Sequence, residues 1–190
     1  MAMSRRDHLV ATAVELFRRN GYHATGIDRI LAESGCAKMT LYKHFKSKDE
    51  LILAALRRQD EQFRNTLMRD VERRASTPRE RLLAVFDALG ACIAEPDFSG
   101  CMFVHAAGEF AAPDDPIHAA AAEHKRLIRG YLTGLAGQAG AHDAAALARS
   151  LMLLIEGAVA MAHVAGNETA AADAREAARV LIDHALARSA

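Results

Sequence analysis

A chain of 190 residues that is 51% apolar and 25% charged can bury a core of its own, which excludes a disordered protein. Basic and acidic side chains balance at 24 each, which excludes a uniformly basic or acidic surface. Three cysteines without Cys-x-x-Cys spacing (Cys36, Cys92 and Cys101) argue against both a disulfide framework and a cysteine zinc site.

Aromatic residues reach only 5% while Leu, Ala, Glu and Arg are plentiful, so the chain is predicted to be all-α. Ser4-Arg-Arg-Asp7 has the spacing of a capping box, in which a hydroxyl and an acidic side chain satisfy amides left unpaired by the first helical turn. It predicts a first helix with Leu9, Ala13, Leu16 and Phe17 on one face, closed by Asn20-Gly21. Thr25-Gly-Ile-Asp28 predicts a second, short helix that buries Ile27, Ile30 and Leu31. Ser34-Gly35 ends it, glycine supplying the left-handed conformation of a tight turn. A third helix, from about Ala37 to Phe45, turns Ala37, Leu41 and Phe45 inward and Lys38, Met39, Tyr42 and Lys43 outward. Ser47-Lys-Asp-Glu50 opens a long fourth helix to about Arg74. Helix, glycine turn and basic helix within about 20 residues is the spacing of a helix-turn-helix.

Further along, Thr77-Pro-Arg-Glu80 joins a capping box to a proline at the first helical position, and its helix runs to about Glu95 before Pro96-Asp97-Phe98. Ser99 is placed to cap a helix through Phe110, and Asp115-Pro116 starts another, to about Gly137. Gly140-Ala-His-Asp143 precedes a helix to about Val164, and Gly166-Asn167 separates it from a last one, about Glu168 to Ser189. Nine helices and no strand are predicted.

Charge is uneven along this order. Residues 1–60 carry 11 basic and 7 acidic side chains, and from Lys38 to Lys48 there are four lysines and no carboxylate. A helix fits the major groove of B-DNA, and a turn-mounted one presents its first residues to base edges. Lys38 can donate to guanine O6 and N7, Met39 can touch a thymine methyl, and Thr40 can reach a base edge or a phosphate. Tyr42, Lys43 and His44 suit phosphates. Thr25 and Lys48 stand at predicted helix starts, where free amides and the positive dipole end attract phosphate. An arbitrary run of lysines is most often only a solvated face. Here an exposed tyrosine, a glycine turn and a three-helix apolar pattern coincide with it.

With these residues the first 50 or so positions resemble the DNA-binding domain of TetR-type transcriptional regulators. The matching elements are Ala13-x-x-Leu16-Phe17, Asn20-Gly21-Tyr22, Thr25-x-Ile27, Ile30-Leu31-Ala32, Gly35, Thr40-Leu41-Tyr42-x-His44-Phe45 and Lys48-x-x-Leu51. Met39 stands where glycine is frequent and Cys36 where valine is frequent. The resemblance implies a helix-turn-helix domain over residues 1–48 and an effector-binding and dimerisation domain over 49–190. It also implies a homodimer on a palindromic double-stranded operator, repressing until a small molecule binds. Thr40, Tyr42, His44 and Lys48 match positions that commonly contact DNA in that family.

Two heads about 34 to 36 Å apart on one face of DNA give the selectivity that a single half-site lacks. Leu147, Leu151, Leu154, Ile155, Ala158 and Ala162, with Ala174, Ala178, Leu181, Ile182 and Ala185, are the expected dimer face on the last two helices. Family members place the effector among helices four to eight, so the expected lining is Phe63, Leu67, Phe86, Leu89, Met102, Phe103, His105, Phe110, Leu127, Tyr131, Met152, Glu156 and His163. Most of these would serve equally as core, whereas Glu156 on an apolar helix needs a partner. A pocket of this kind admits a hydrophobic or amphipathic effector.

Cys101, following Ser99-Gly100, offers a redox or electrophile-sensing alternative, since a helix start favours thiolate. Free cysteine is nonetheless usually a small buried hydrophobe. A constitutive DNA-binding dimer without a ligand is a further alternative. His105 and Glu109 form the one His/Glu helical pair that stands out. Without paired Glu-x-x-His motifs, a phosphate-binding glycine loop or a nucleophile elbow, no enzyme, cofactor or metal is expected. Met1 to His8 lacks the apolar core of a secretory signal and Glu156 stops the apolar run from Leu151, so a cytoplasmic protein without a membrane partner is expected.

Overall fold

The computed structural model describes residues 3–187. Among them are nine α-helices and no strand: α1 (Arg5–Asn20), α2 (Ile27–Ser34), α3 (Lys38–His44), α4 (Lys48–Arg74), α5 (Pro78–Ile93), α6 (Met102–Glu109), α7 (Pro116–Gln138), α8 (Ala144–Ala165) and α9 (Ala170–Leu186). The predicted end of the last helix at Ser189 lies outside the described residues. Packing groups the chain into two units, one of residues up to Phe63 with Cys101–His124, the other of Arg64–Gly100 with the residues from Lys125 onward. The expected division falls at residue 48; by packing, α4 as far as Phe63, all of α6 and α7 as far as His124 go with the helix-turn-helix segment.

In the first unit α1 begins as its sequence predicts, the Ser4 hydroxyl accepting from the Asp7 N–H at 3.1 Å. Leu9, Phe17, Tyr22, Ile30, Leu41, Leu51 and Ile52 are all fully buried in one core. Each such side chain stabilises the fold by roughly 1.5–3 kcal/mol of transfer free energy. Thr25 does not cap α2. The helix starts after Gly26 without a side-chain cap, and the Thr25 hydroxyl is turned inward, donating to the Gly21 carbonyl oxygen at 2.7 Å. Gly35 takes the expected left-handed conformation (φ 63°). Ser34 ties down the same turn, because its hydroxyl accepts from the Cys36 N–H (3.3 Å) and His8 Nε2 lies 3.0 Å from its carbonyl oxygen. Leu41 and Phe45 anchor α3, but Ala37, expected inward, is exposed. It is the N-cap, with extended backbone, so its Cβ does not continue the helix face. Likewise α6 starts after Cys101, so Ser99 caps nothing there.

In the second unit Thr77 and Glu80 complete the predicted capping box around Pro78, each side chain accepting from the other's N–H (3.3 and 3.2 Å). α5, α8 and α9 pack together around Leu82, Phe86, Leu151, Ala178 and Ile182. Arg79 Nε to Asp183 Oδ1 (3.0 Å) and Arg175 Nε to Asp87 Oδ1 (2.8 Å) bridge α5 and α9. α8 and α9 run antiparallel through the left-handed Gly166, and the His142 N–H donates to the Ala185 carbonyl oxygen (3.2 Å).

This packing covers most of the stripe expected to face a second copy. Leu147, Leu151, Ile155 and Ala158 on α8 and Ala174, Ala178 and Ile182 on α9 are buried within the chain itself. Leu154, Ala162 and Ala185 are half-buried, and Leu181 is exposed. Both helices are apolar on more than one side. The stripe first visible in the sequence fills the chain's own core, whereas Leu153, Gly157, Ala160 and Val164 on α8 and Ala177, Val180 and Leu181 on α9 face outward. That outer stripe makes α8 the one helix among the described residues long and apolar enough to cross a membrane, a test that core helices also pass.

Candidate nucleic-acid interface

The outward face of α3 is built from the inside. Leu41 and Phe45 are held in the core, so the residues between and before them must project. Met39 is 85% exposed and Tyr42 48% exposed, with Lys38, Lys43 and His44 beside them, while Thr40 is half-buried. α3 carries no acidic residue in its first turn. The His44 ring meets the edge of Phe45 at 6.4 Å, and the Arg6 guanidinium stands 5.3 Å over the other ring of that contact, Phe45. α3 is therefore short but fixed at both ends, by the Ser34-Gly35 turn and by Phe45.

Lys48 is half-buried at the start of α4, with Nζ donating to the His23 carbonyl oxygen (3.3 Å). Ser47 caps that start by accepting from the Glu50 N–H (3.2 Å), and Glu50 in return accepts from the Lys46 N–H (2.7 Å). Of the residues expected to meet nucleic acid, Thr25 stands apart. It is fully buried and its N–H is also engaged, donating to the Tyr22 carbonyl oxygen (3.3 Å), so neither group is turned to an outside phosphate. Lys46, exposed on the α3–α4 turn, is a basic group that position on the helix alone does not select. The run of four lysines that includes it is the signal that does.

The residues expected around an effector fall in both units. In the first, Phe63 and Phe103 meet at His124, a buried side chain that periodicity does not single out. Its ring stacks on Phe103 (3.7 Å, 8°), takes Phe63 edge-on (5.6 Å), and Nδ1 lies 2.8 Å from Asp60 Oδ1. Met102 is buried, while His105 and Phe110 are half-buried. In the second, Leu67, Phe86 and Leu89 are buried and Leu127, Tyr131 and Met152 half-buried. Glu156 has the partner it needs in Lys125, Nζ donating at 2.7 and 2.9 Å. His163 is exposed, with Phe98 edge-on at 6.3 Å. The Tyr131 hydroxyl is buried without a hydrogen-bond partner. Desolvation and the nearby Glu72 carboxylate push its pKa up. A cleft of about 520 Å³ lies elsewhere, in the first unit, between Arg6, Val10, Phe45, Leu53 and Arg57, and none of the expected effector residues lines it.

Comparison with known proteins bears on the two halves separately. Residues 9–55 match the model of bacterial regulatory proteins of the tetR family, and residues 78–178 match the tetracyclin repressor-like C-terminal domain. A TetR-family transcriptional regulator from Streptomyces coelicolor has the same fold, with a TM-score of 0.90, 31% identity and 96% of each chain covered. The HTH-type transcriptional regulator LmrA of Bacillus subtilis is 26% identical over 86% of this chain and 89% of its own. The HTH-type transcriptional activator FasR of Mycolicibacterium smegmatis is 40% identical over 84 residues, which are 44% of this chain and only 38% of that relative.

Proposed function

The chain belongs to the tetR family of bacterial regulatory proteins and is a helix-turn-helix transcriptional regulator; from that premise we propose that it acts as a cytoplasmic homodimeric repressor of a palindromic operator. The observation that carries this reading is the outward face of α3, where Lys38, Met39, Tyr42 and Lys43 project around a helix anchored by Leu41 and Phe45. In it Lys38, Met39 and Thr40 meet base edges, and Tyr42, Lys43, His44 and Lys48 hold phosphates.

A small hydrophobic or amphipathic effector releases the operator by favouring a dimer whose heads no longer fit successive major grooves. Support for an effector site comes from the Tyr131 hydroxyl, a buried donor without a hydrogen-bond partner, which suits a ligand with a polar group. The test has two stages. A duplex is selected from a random pool by the protein, and its affinity is then measured with and without compounds that raise the melting temperature. A ligand at about 100 times its dissociation constant adds about 2.7 kcal/mol of stability. Equal DNA affinity with and without such a ligand would falsify release by effector.

A second reading replaces the ligand by an oxidant or electrophile at Cys101. It is favoured by the sulfur's position, half-buried at the N-cap of α6. In this reading peroxide weakens DNA binding of the wild type and leaves Cys101→Ser unaffected; equal loss in both discards it.

A further inference from the structure

Glu109 is the last residue of α6, and its carboxylate is spent on the turn between α1 and α2. Oε1 accepts from the Tyr22 N–H at 2.8 Å, and Oε2 accepts from the His23 N–H at 2.6 Å and lies 2.7 Å from His23 Nδ1. Two successive amides converging on one carboxylate form a small anion nest, and bonds to a charged acceptor are about twice as strong as neutral ones. Asn20-Gly21-Tyr22 takes its shape from this contact. Gly21 sits at φ 79°, and a Cβ there would come within 2.8 Å of Glu109 Oε1.

Rings close the remaining sides. His23 stacks on Phe110 (4.9 Å, 20°), and Tyr22 stacks on Phe17 (5.1 Å) with its hydroxyl donating to the Met102 carbonyl oxygen (2.9 Å). Both ends of α6 therefore hold the same two-residue segment. That segment in turn carries the head, because the Tyr22 carbonyl oxygen accepts from the Thr25 N–H before α2 and the His23 carbonyl oxygen accepts from Lys48 Nζ at the start of α4.

Resting on the reading of the chain as a DNA-binding regulator, we propose that Glu109 is a positioning residue for DNA binding: by clamping Tyr22 and His23 to α6 it sets the attitude of α2, α3 and Lys48 without touching DNA. Removing the carboxylate leaves two amides and an imidazole without their acceptor, and the turn is then free to shift the helices that follow it.

The affinity of a duplex selected from a random pool by the wild-type protein is measured for Glu109→Ala and Glu109→Gln. Both are expected to bind about tenfold more weakly or worse while still melting cooperatively, since an amide turns a donor toward donors. Formate replacing chloride at fixed ionic strength should restore most of the loss in Glu109→Ala and change neither wild type nor Glu109→Gln. The amide proton resonances of Tyr22 and His23 should follow the same pattern. Wild-type affinity in a folded Glu109→Ala, or a loss that formate leaves untouched, overturns the proposal. Should Glu109→Ala not fold, Glu109→Gln and His23→Phe decide it. The latter keeps a ring on Phe110 and removes one bond, and wild-type affinity in both overturns it. A wild-type protein that enriches no duplex ends the DNA-binding reading, and the proposal with it, before any variant is made.

Discussion

Lys125 Nζ lies 2.7 Å from one carboxylate oxygen of Glu156 and 2.9 Å from the other, joining α7 to α8 within the second unit. Both side chains are about a third exposed, so the pair is worth about 1 kcal/mol or less, well below a dry ion pair. Glu156→Leu alone should destabilise the chain by about 1 kcal/mol or less, since it removes a part-exposed pair. The double variant Glu156→Leu with Lys125→Met should recover most of that. Urea midpoints of the four proteins give the coupling, and additive effects would show the contact to be idle.

Tyr42→Ala and Lys38→Ala should separate the two jobs of α3. Tyr42 is half-exposed between lysines, where a phosphate contact costs affinity for every sequence alike when lost. Lys38 opens the helix, so its loss should relax preference at one base pair by about 1–3 kcal/mol. Competition binding against single-base variants of the selected duplex distinguishes these patterns. Wild-type affinity in both variants would remove α3 from the interface.

Local signals carried far in this sequence, and tertiary ones did not. Ser4, Thr77 and Gly35 announce their helix ends because a cap or a left-handed turn needs only a few neighbouring residues. Thr25 has the spacing of a cap and is not one, since α2 starts one residue later, after Gly26, and the hydroxyl is turned inward to donate to the Gly21 carbonyl oxygen. The outward lysines of α3 follow from Leu41 and Phe45 alone. The side of α8 and α9 that the chain covers itself leaves no trace in the sequence, because both helices are apolar on two sides and periodicity does not distinguish them. Glu109 stands out in the sequence only as a neighbour of His105; its contact with His23 crosses 86 positions and leaves no local trace.

Thr25→Val tests the buried hydroxyl directly. Valine fills the same space but leaves the Gly21 carbonyl oxygen without the donor it now has at 2.7 Å, a loss of about 1–2 kcal/mol. The effect should appear in the urea midpoint with an unchanged slope. If Thr25 met a phosphate instead, Thr25→Val would weaken DNA binding and leave stability alone.

Stability should fall above pH 10. Burial raises the pKa of Tyr22 far above its ordinary 10.0, and the nearby Cys101 and Glu109 add to it; Tyr131 is raised in the same direction by its own burial. In the unfolded chain both phenols lose their protons near pH 10, while folded Tyr22 keeps its own. The unfolded state then binds fewer protons, so unfolding becomes easier by about 1.4 kcal/mol per pH unit through Tyr22, and Tyr131 acts in the same direction. Tyr22→Phe should be less stable than wild type at pH 8, for want of the bond to the Met102 carbonyl, yet lose less between pH 10 and 11. Parallel losses in the two proteins would place the alkaline limb elsewhere. At the other end, burial tends to raise the pKa of Glu109, but the His23 and Tyr22 amides and the His23 ring outweigh it and hold the carboxyl below its ordinary range. Its contribution is complete above that range and fades as pH falls through the lowered value, so Glu109→Gln should flatten the acid limb.

Leu153 and Val164 are 75% and 83% exposed on α8, and Val180 and Leu181 continue the apolar surface on α9. Water-facing leucine and valine at helical spacing, on a helix this apolar, call for cover. In the proposed homodimer a second copy related by a two-fold axis supplies it from the same surface, and Gly157 and Ala160 are small enough to let the helices come close. Wild type should therefore sediment at about twice its 20.5 kDa chain mass. Leu153→Glu places like charges opposite each other near the axis and should sediment as a single chain, still folded, with its affinity for a palindromic duplex reduced to that for one half-site. Leu151→Glu, by contrast, buries its carboxylate in the chain's own core and should unfold it. Dimer mass retained by Leu153→Glu would put the contact on another face. A folded monomer from Leu151→Glu would mean that the inner stripe, and not the outer one, is what the second copy covers.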